Sequence, residues 1–475
     1  MTSTVQLPLW FVFVVVALAV LALINHFFLP GIRWFFRRRV NRVIQDVNDR
    51  LRLKLPIFQL TKRQVLIDRL TYDPEVMKLV EQVATERGVT RDGVMAEVVT
   101  YAREMVPSFN PVIYFQLGYR VARWFLRSFY WVRLGFAHEK ALSQFPENSS
   151  VVFVINHRSN MDYMLVTYLA SQDTAMSYGA GEWARIWPLR AILRSAGAYI
   201  LRRNASDDNL YRKVLERYVQ MATEGGVPHA IFAEGRLSRN GMVNPPKLGL
   251  MGYIIRTFDP RGARDILFVP VGVNFDRVFE ERTLIANAET DFRGRGSIFV
   301  LGSTLRFLGR EVARKLTGRR HGFGTACASF GKPLSLKDWS AQHKINLSAM
   351  DKPAFFAAVE TLGSEITERI IKEIPVLAVP LLSMLLLERG SPADATTVLT
   401  EADEIVRELR GRGAHIGFEQ DGDEPSLKKG LRLMTVRGLV LEDDAGLLSP
   451  ASDETVLLQY YANSVIQLRS KLGAQ

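Results

Sequence analysis

Cysteine is almost missing from this 475-residue chain. Cys327 stands alone, which excludes an intrachain disulfide and a cysteine metal cluster and fits a reducing, cytoplasmic setting. Histidine is scarce, and His26, His138, His229, His321, His343 and His415 are scattered without ligand spacing, so no metal site is expected. Acidic residues are outnumbered, 49 Asp and Glu against 61 Lys and Arg, and the resulting +12 balance calls for an anionic partner. Nucleic acid, a membrane surface and a small phosphorylated substrate all meet that demand. What is plentiful is apolar material: 48 % hydrophobic residues exclude a disordered chain and suffice for two or three folded units.

Fixed charge is absent from Leu7 to Leu29. A helix over that stretch rises about 34 Å, enough to cross a bilayer core of about 30 Å. The first nine residues hold no Lys or Arg and no small-x-small cleavage site follows, which favours an uncleaved anchor over a signal peptide. Arg33, Arg37, Arg38, Arg39 and Arg42 come directly after it, and positive residues stay on the cytoplasmic side. A single-pass protein of the inner (cytoplasmic) membrane, its bulk in the cytoplasm, is the expectation.

Four stretches follow from the patterning: an anchor over 1–32, a helical region over 33–110, an α/β domain over 111–340 and a helical region over 341–475. Asp73 and Pro74 form an N-cap and first-turn pair ahead of "EVMKLVEQVATERG". Val112 to Phe136 interleaves Arg120, Arg123, Arg127 and Arg133 with Tyr, Trp and Phe and is expected to be one basic aromatic helix on an anionic membrane; stacking on single-stranded nucleic acid and internal packing are the alternatives. Strands are expected over 151–155, 198–201, 229–233, 266–273, 298–302 and 326–330, separated by helical stretches, which predicts a mainly parallel sheet flanked by helices. "IPVLAVPLLSMLLL" (374–387) is too short for an ordinary crossing and is expected to be a buried or interfacial helix.

In such sheets ligands bind beyond the carboxyl ends of strands. Three polar clusters stand there: "NHRSNMD" (156–162), Arg202 with Arg203, and "EGRLSRNG" (234–241). With His157 in a turn and Asp162 in the first turn of a helix, the carboxylate can accept from one imidazole nitrogen and leave the other as a base. That is a catalytic pair without a serine, so a substrate hydroxyl is the natural nucleophile. Helix capping by Asp162 alone is the competing reading.

At these residues the sequence resembles the glycerolipid acyltransferases, specifically the membrane glycerol-3-phosphate and dihydroxyacetone-phosphate acyltransferases. The resemblance rests on four blocks in order: His157 and Asp162 in "NHRSNMD", "GAYILRR" (197–203), "FAEGRLSR" (232–239) and "FVPVGVNFDR" (268–277). "PPKLG" around Lys247 and the near-terminal "LLQYYANSVIQL" add to it. The resemblance implies His157 as general base, Asp162 as its orienting partner, and Arg158, Ser159, Arg202, Arg203, Glu234, Gly235, Arg236, Ser238, Arg239 and Lys247 as substrate-binding residues. It further implies a phospholipid membrane, glycerol 3-phosphate and an acyl donor as partners, with no nucleic acid. Acyl-CoA or an acyl carrier protein would be the co-substrate, with no cofactor. Lysophosphatidic acid or dihydroxyacetone phosphate as acceptor stays open, as does an inactive anchored protein that binds anionic lipid.

Two departures stand out. After Glu234 and Gly235 the family commonly has a small residue and then Arg, where this chain has Arg236 and Leu237; near the end it often has His, where this chain has Gln467. Cys327, on an expected buried strand, is a poor nucleophile candidate.

Overall fold

The computed structural model describes residues 55–138, 145–146, 148–170, 174–181, 189–202, 208–289, 322–418 and 425–473. Leu7–Leu29, Arg33–Arg42, Arg203 and the expected strand over 298–302 lie outside the described residues. Among the described residues no helix is long and apolar enough to cross a membrane. Arg52–Gln475 forms one compact unit.

Its centre is an eight-stranded mixed sheet. In chain order the strands are β1 (Trp131–Ala137), β2 (Ser149–Ile155), β3 (Ser177–Ala180), β4 (Ala198–Ile200), β5 (His229–Phe232), β6 (Asp265–Phe275), β7 (Thr325–Phe330) and the short β8 (Leu334–Ser335). In space they run β1-β7-β6-β2-β5-β3-β4, with β8 beside β6. The run from β6 to β4 is parallel throughout, whereas β7 meets β6 antiparallel and carries β1 parallel to itself. The expectation of a mainly parallel sheet flanked by helices therefore holds.

β2 shows why a continuous apolar run belongs at the middle of such a sheet. All seven of its residues are buried, with β6 on one side and β5 on the other. Its side chains alternate: Val151, Phe153 and Ile155 enter one core layer, Val152 and Val154 the other. The second layer is closed by α1 (Arg63–Thr71), α2 (Pro74–Arg87), α3 (Arg91–Met105), the later helices Asn209–Glu224 and Lys352–Glu373, and their neighbours. α2 starts as its sequence requires, with the Asp73 side chain accepting from the Glu75 N–H and Pro74 in the first turn.

The first layer holds α4 (Tyr119–Phe129), α5 (Asp162–Ala170), α6 (Ala378–Arg389) and α7 (Thr455–Leu472). α6 takes up the expected "IPVLAVPLLSMLLL" segment from Ala378 onward, the first four residues lying before the helix, and is buried from Ala378 to Leu386. A small three-stranded antiparallel sheet (Ala393–Asp394, Val440–Glu442 and Leu447–Pro450) sits among the carboxyl-terminal helices, where no strand was expected.

The expected single helix over 112–136 is a helical stretch followed by a strand. A π-helical turn (Ile113–Gly118) leads into α4, which ends at Phe129; from Trp131 the chain is an edge strand paired with β7. Arginine–aromatic interleaving fits both periods, and the open edge of β7 decides it by offering a row of backbone partners. Trp131 and Arg133 accordingly belong to the sheet edge and not to the helix.

Candidate active site

β2, β5 and β6 run in the same direction, so their carboxyl ends deliver three polar segments to one edge. Asn156 leaves β2 clamped: its amide donates to the Val273 carbonyl (3.1 Å) and accepts from the Val273 N–H (2.7 Å). That fixes the start of the turn in which His157 stands. The His157 N–H donates to Glu234 Oε1 (2.9 Å), and its carbonyl accepts from the Ser238 N–H (2.8 Å), tying the segment after β2 to the segment after β5.

The imidazole is held on two sides. Its ring lies flat against Phe232, with centroids 3.7 Å apart and planes 10° apart. Nδ1 is 2.9 Å from Asp162 Oδ2. The same oxygen accepts from the N–H groups of Arg158 (2.7 Å) and Ser159 (3.0 Å), so one carboxylate oxygen organises the turn and the imidazole together. Those two donors precede α5, so the carboxylate braces the turn and does not cap the helix, while the same oxygen orients the imidazole. Nε2 makes no hydrogen bond to a described residue, and 14 % of the His157 side chain remains exposed. Asp162 is fully buried. With Nδ1–H donated to a carboxylate, Nε2 is the nitrogen left with a lone pair.

The expected substrate-binding residues divide sharply. Arg236, Arg239 and Lys247 are exposed, and no acid among the described residues pairs with them. Gly235 takes a left-handed φ of +65°, which glycine tolerates and which tucks the Lys247 stem beside it. Arg203 lies outside the described residues.

The others are engaged inside the fold. Arg158 is buried, donates from Nη1 to the Gly241 carbonyl (2.7 Å) and lies over the Tyr460 ring. Ser159 donates to Glu280 (2.8 Å). Arg202 pairs with Glu104 of α3 and stacks on Tyr101 and Tyr211. Three strand spacings separate β2 from β4, about 14 Å, which is why Arg202 does not join the first cluster. Glu234, expected to meet an acceptor hydroxyl, spends both oxygens internally: Oε1 on His157, Oε2 on the N–H (3.0 Å) and Nδ2 (2.7 Å) of Asn244. Burial raises its pKa, and those hydrogen bonds pull the other way. Ser238 is buried, donating to the Met242 carbonyl (2.6 Å) and accepting from the Gly241 N–H (3.1 Å).

Glu280 was not singled out from the sequence, yet it holds the turn from behind. Oε1 accepts from the Asn160 side chain (3.0 Å) and Oε2 from Ser159. Burial raises its pKa, the bonds from Ser159 and Asn160 lower it, and the nearby Asp162 charge raises it further. Its place just beyond the fourth block was the available signal. Cys327 is fully buried on β7 with its thiol pushed up to about 12 by burial, which removes it as a nucleophile.

Two family models match this chain: "Acyltransferase" over residues 138–274, which contain the whole His157 turn and the 234–247 loop, and "Glycerol-3-phosphate acyltransferase C-terminal region" over 311–469. Proteins named glycerol-3-phosphate acyltransferase resemble it along most of its length. That of Alteromonas mediterranea is 24 % identical over 426 residues, which cover 86 % of this chain and 50 % of the relative. That of Pseudomonas aeruginosa is 24 % identical over 443 residues, covering 91 % of this chain and 51 % of the relative. The chain thus spans about half the length of the curated relatives it matches. A solved structure, the 1-acyl-sn-glycerophosphate (LPA) acyltransferase of Thermotoga maritima, is 16 % identical and covers 65 % of this chain and 97 % of that one, at a TM-score of 0.30.

Proposed function

We propose, on the two matching family models, that this chain is a glycerol-3-phosphate acyltransferase, transferring a fatty acyl group to the sn-1 hydroxyl of glycerol 3-phosphate and giving lysophosphatidic acid. The donor is a thioester of coenzyme A or of an acyl carrier protein. The observation that carries the reading is the 2.9 Å contact of His157 Nδ1 with a buried Asp162, which leaves Nε2 unpaired on the edge where the 234–247 loop emerges.

The chemistry follows from that arrangement. Nε2 takes the proton of the acceptor hydroxyl as its oxygen attacks the thioester carbonyl, and Asp162 stabilises the imidazolium that forms. Collapse of the tetrahedral intermediate breaks the carbon–sulfur bond. A thiolate leaves readily, since thiols ionise near pH 8.5, and it can take the proton back from His157. A covalent acyl-enzyme is not required.

Arg239 and Lys247, with Arg236 beside them, bind the acceptor phosphate; Arg203 joins them in this reading on the strength of the resemblance alone. Arg239 keeps the family spacing from Glu234 and Ser238, whereas Arg236 occupies a place the family usually leaves small. A planar two-point grip on phosphate oxygens is beyond lysine. Arg239→Lys should therefore raise KM for glycerol 3-phosphate by 10-fold or more, a loss of roughly 1.5 to 3 kcal/mol for a charged hydrogen bond, with KM for acyl-CoA nearly unchanged. Steady-state kinetics with each substrate varied in turn decides it: a larger acceptor defect in Arg236→Lys transfers the role to Arg236. If lysophosphatidic acid or dihydroxyacetone phosphate is acylated and glycerol 3-phosphate is not, the acceptor assignment falls.

The protein acts at the inner (cytoplasmic) membrane, with Leu7–Leu29 as its spanning anchor. A second contact is supported by α4, which exposes Val121 and Trp124 together with Arg120, Arg123 and Arg127, and by the neighbouring Trp131 and Leu134 of the edge strand. Basic and aromatic side chains together hold a surface at an anionic interface. A chain lacking residues 1–29 should still sediment with phosphatidylglycerol vesicles, more weakly as salt rises. Replacing Arg120, Arg123, Arg127 and Trp124 by Ser should abolish that sedimentation. A truncated protein that stays in the supernatant at moderate salt refutes the second contact.

A further inference from the structure

The loop that carries the exposed cations is not self-supporting. Between Arg239 and Lys247 its backbone is gripped from α7, more than two hundred residues away in sequence. Gln467 makes a two-point amide clamp on one residue: its Oε1 accepts from the Val243 N–H (2.8 Å) and its Nε2 donates to the Val243 carbonyl (3.0 Å). Reversing the amide would set N–H against N–H and oxygen against oxygen, so the clamp works only one way round. One helical turn earlier, Asn463 donates from Nδ2 to the Asn240 carbonyl (2.8 Å), while its own oxygen accepts from Gln459 (2.6 Å). Between these two points Gly241 runs against the helix backbone. It takes φ +80°, and a Cβ there would lie 1.8 Å from the Tyr460 carbonyl oxygen, so only glycine passes. From the far side Arg158, next to the base, donates to the Gly241 carbonyl.

The grip is in series with the site. Val243 is followed by Asn244, which holds Glu234, which in turn holds the His157 N–H. Arg239 directly precedes the residue Asn463 holds, and Lys247 lies four residues beyond the one Gln467 holds. We propose that Gln467, with Asn463, is a positioning residue for acceptor binding: it fixes the height of the 239–247 loop over the sheet edge, and thereby where the phosphate-binding cations stand relative to His157. The inference rests on the acyl-transfer reading above. It gives the carboxyl-terminal helix a task inside the active site, and it assigns a role to a position where this chain departs from the family's common histidine.

The test uses the full-length chain in its membrane fraction, with three variants, each checked for unchanged abundance. Gln467→Ala removes both hydrogen bonds. Gln467→Glu keeps the shape and the acceptor for the Val243 N–H but turns the donor to the Val243 carbonyl into a repulsive oxygen. Asn463→Ala removes the second hold. Losing one or two backbone bonds should raise KM for glycerol 3-phosphate roughly 10-fold in Gln467→Ala and in Gln467→Glu, and less in Asn463→Ala. KM for acyl-CoA and kcat should stay within about twofold of wild type. An unmoved acceptor KM in Gln467→Glu overturns the proposal, and so does a fall in kcat with both KM values unchanged, which marks general loosening of the site. Should Gln467→Ala fail to accumulate, Gln467→Glu decides alone. A wild-type chain that transfers no acyl group to glycerol 3-phosphate sinks the parent reading instead, so the two failures are told apart by the wild-type lane.

Discussion

His157→Ala is expected to lower the rate of acyl transfer by a factor on the order of 10² to 10⁴, the usual loss when a positioned base is removed, while protein abundance in the membrane stays at the wild-type level. The second half of that expectation comes from the geometry. What His157 contributes to the fold is carried by its backbone, through the N–H given to Glu234 and the carbonyl that receives the Ser238 N–H, and alanine keeps both. The lost imidazole face on Phe232 leaves a gap that is partly open to solvent, since the side chain is not fully enclosed. Such a gap costs less than a sealed cavity of the same size. Acyl-donor binding should survive, because in this reading the imidazole serves the acceptor's proton and does not hold the donor. Measurement of free thiol released from acyl-CoA, with and without glycerol 3-phosphate, gives the answer. A variant retaining most of the acceptor-dependent release removes His157 as the base.

The sequence was informative about this residue for a physical reason that also marks its limits. Apolar runs such as "VVFVI" and "HAIFA" announce strands buried on both faces, and whatever polar cluster ends such a run stands at the sheet edge. His157, Asp162 and Glu234 could be placed by that rule. β3, "SYGA", has no apolar run to announce it, and β1 was hidden by a helix-like interleaving that only the open edge of β7 resolves.

Side-chain duties were harder still. A cation beside a motif is read as a ligand for an anion, but Arg202 meets Glu104 across 98 residues of sequence and Arg158 meets Gly241 across 83. Local spacing contains neither partner. The duties that the sequence left unassigned share that property: Glu280 finds Asn160 at a separation of 120 and Gln467 finds Val243 at 224. Long-range satisfaction of buried polar groups is where one sequence is silent, because many pairings of polar residues are compatible with it and packing selects one. The cations with no acidic partner among the described residues, Arg236, Arg239 and Lys247, are informative for the converse reason. In a fold that satisfies so many buried and half-buried charges internally, three exposed ones on the loop beside the base stand ready for a ligand.

Asp162 is the residue at which structure and chemistry are hardest to separate, and a pair of substitutions separates them. Oδ2 receives three N–H groups, two from the backbone and one from the imidazole, while the buried Oδ1 has no partner among the described residues. Asparagine can point its carbonyl oxygen at the two backbone donors and place its amide nitrogen where Oδ1 stood, so the turn survives. What it cannot supply is a full negative charge facing Nδ1–H. If the amide turns the other way, it donates to Nδ1 and moves the ring proton to Nε2, the tautomer with no lone pair for the acceptor. Either way, Asp162→Asn should lose activity on the order of 10²-fold or more in kcat, with KM for glycerol 3-phosphate and for acyl-CoA close to wild type and the protein folded. Asp162→Ala removes the acceptor altogether and leaves the buried Arg158 and Ser159 N–H groups unsatisfied, at a cost of about 1 to 3 kcal/mol each. It should therefore melt earlier as well as fail to turn over. Thermal unfolding beside steady-state kinetics on both variants distinguishes the two roles. Should Asp162→Asn unfold like Asp162→Ala, the carboxylate is a brace of the turn that happens to touch a histidine. Should Asp162→Asn stay folded and lose kcat alone, its charge is what makes His157 a base.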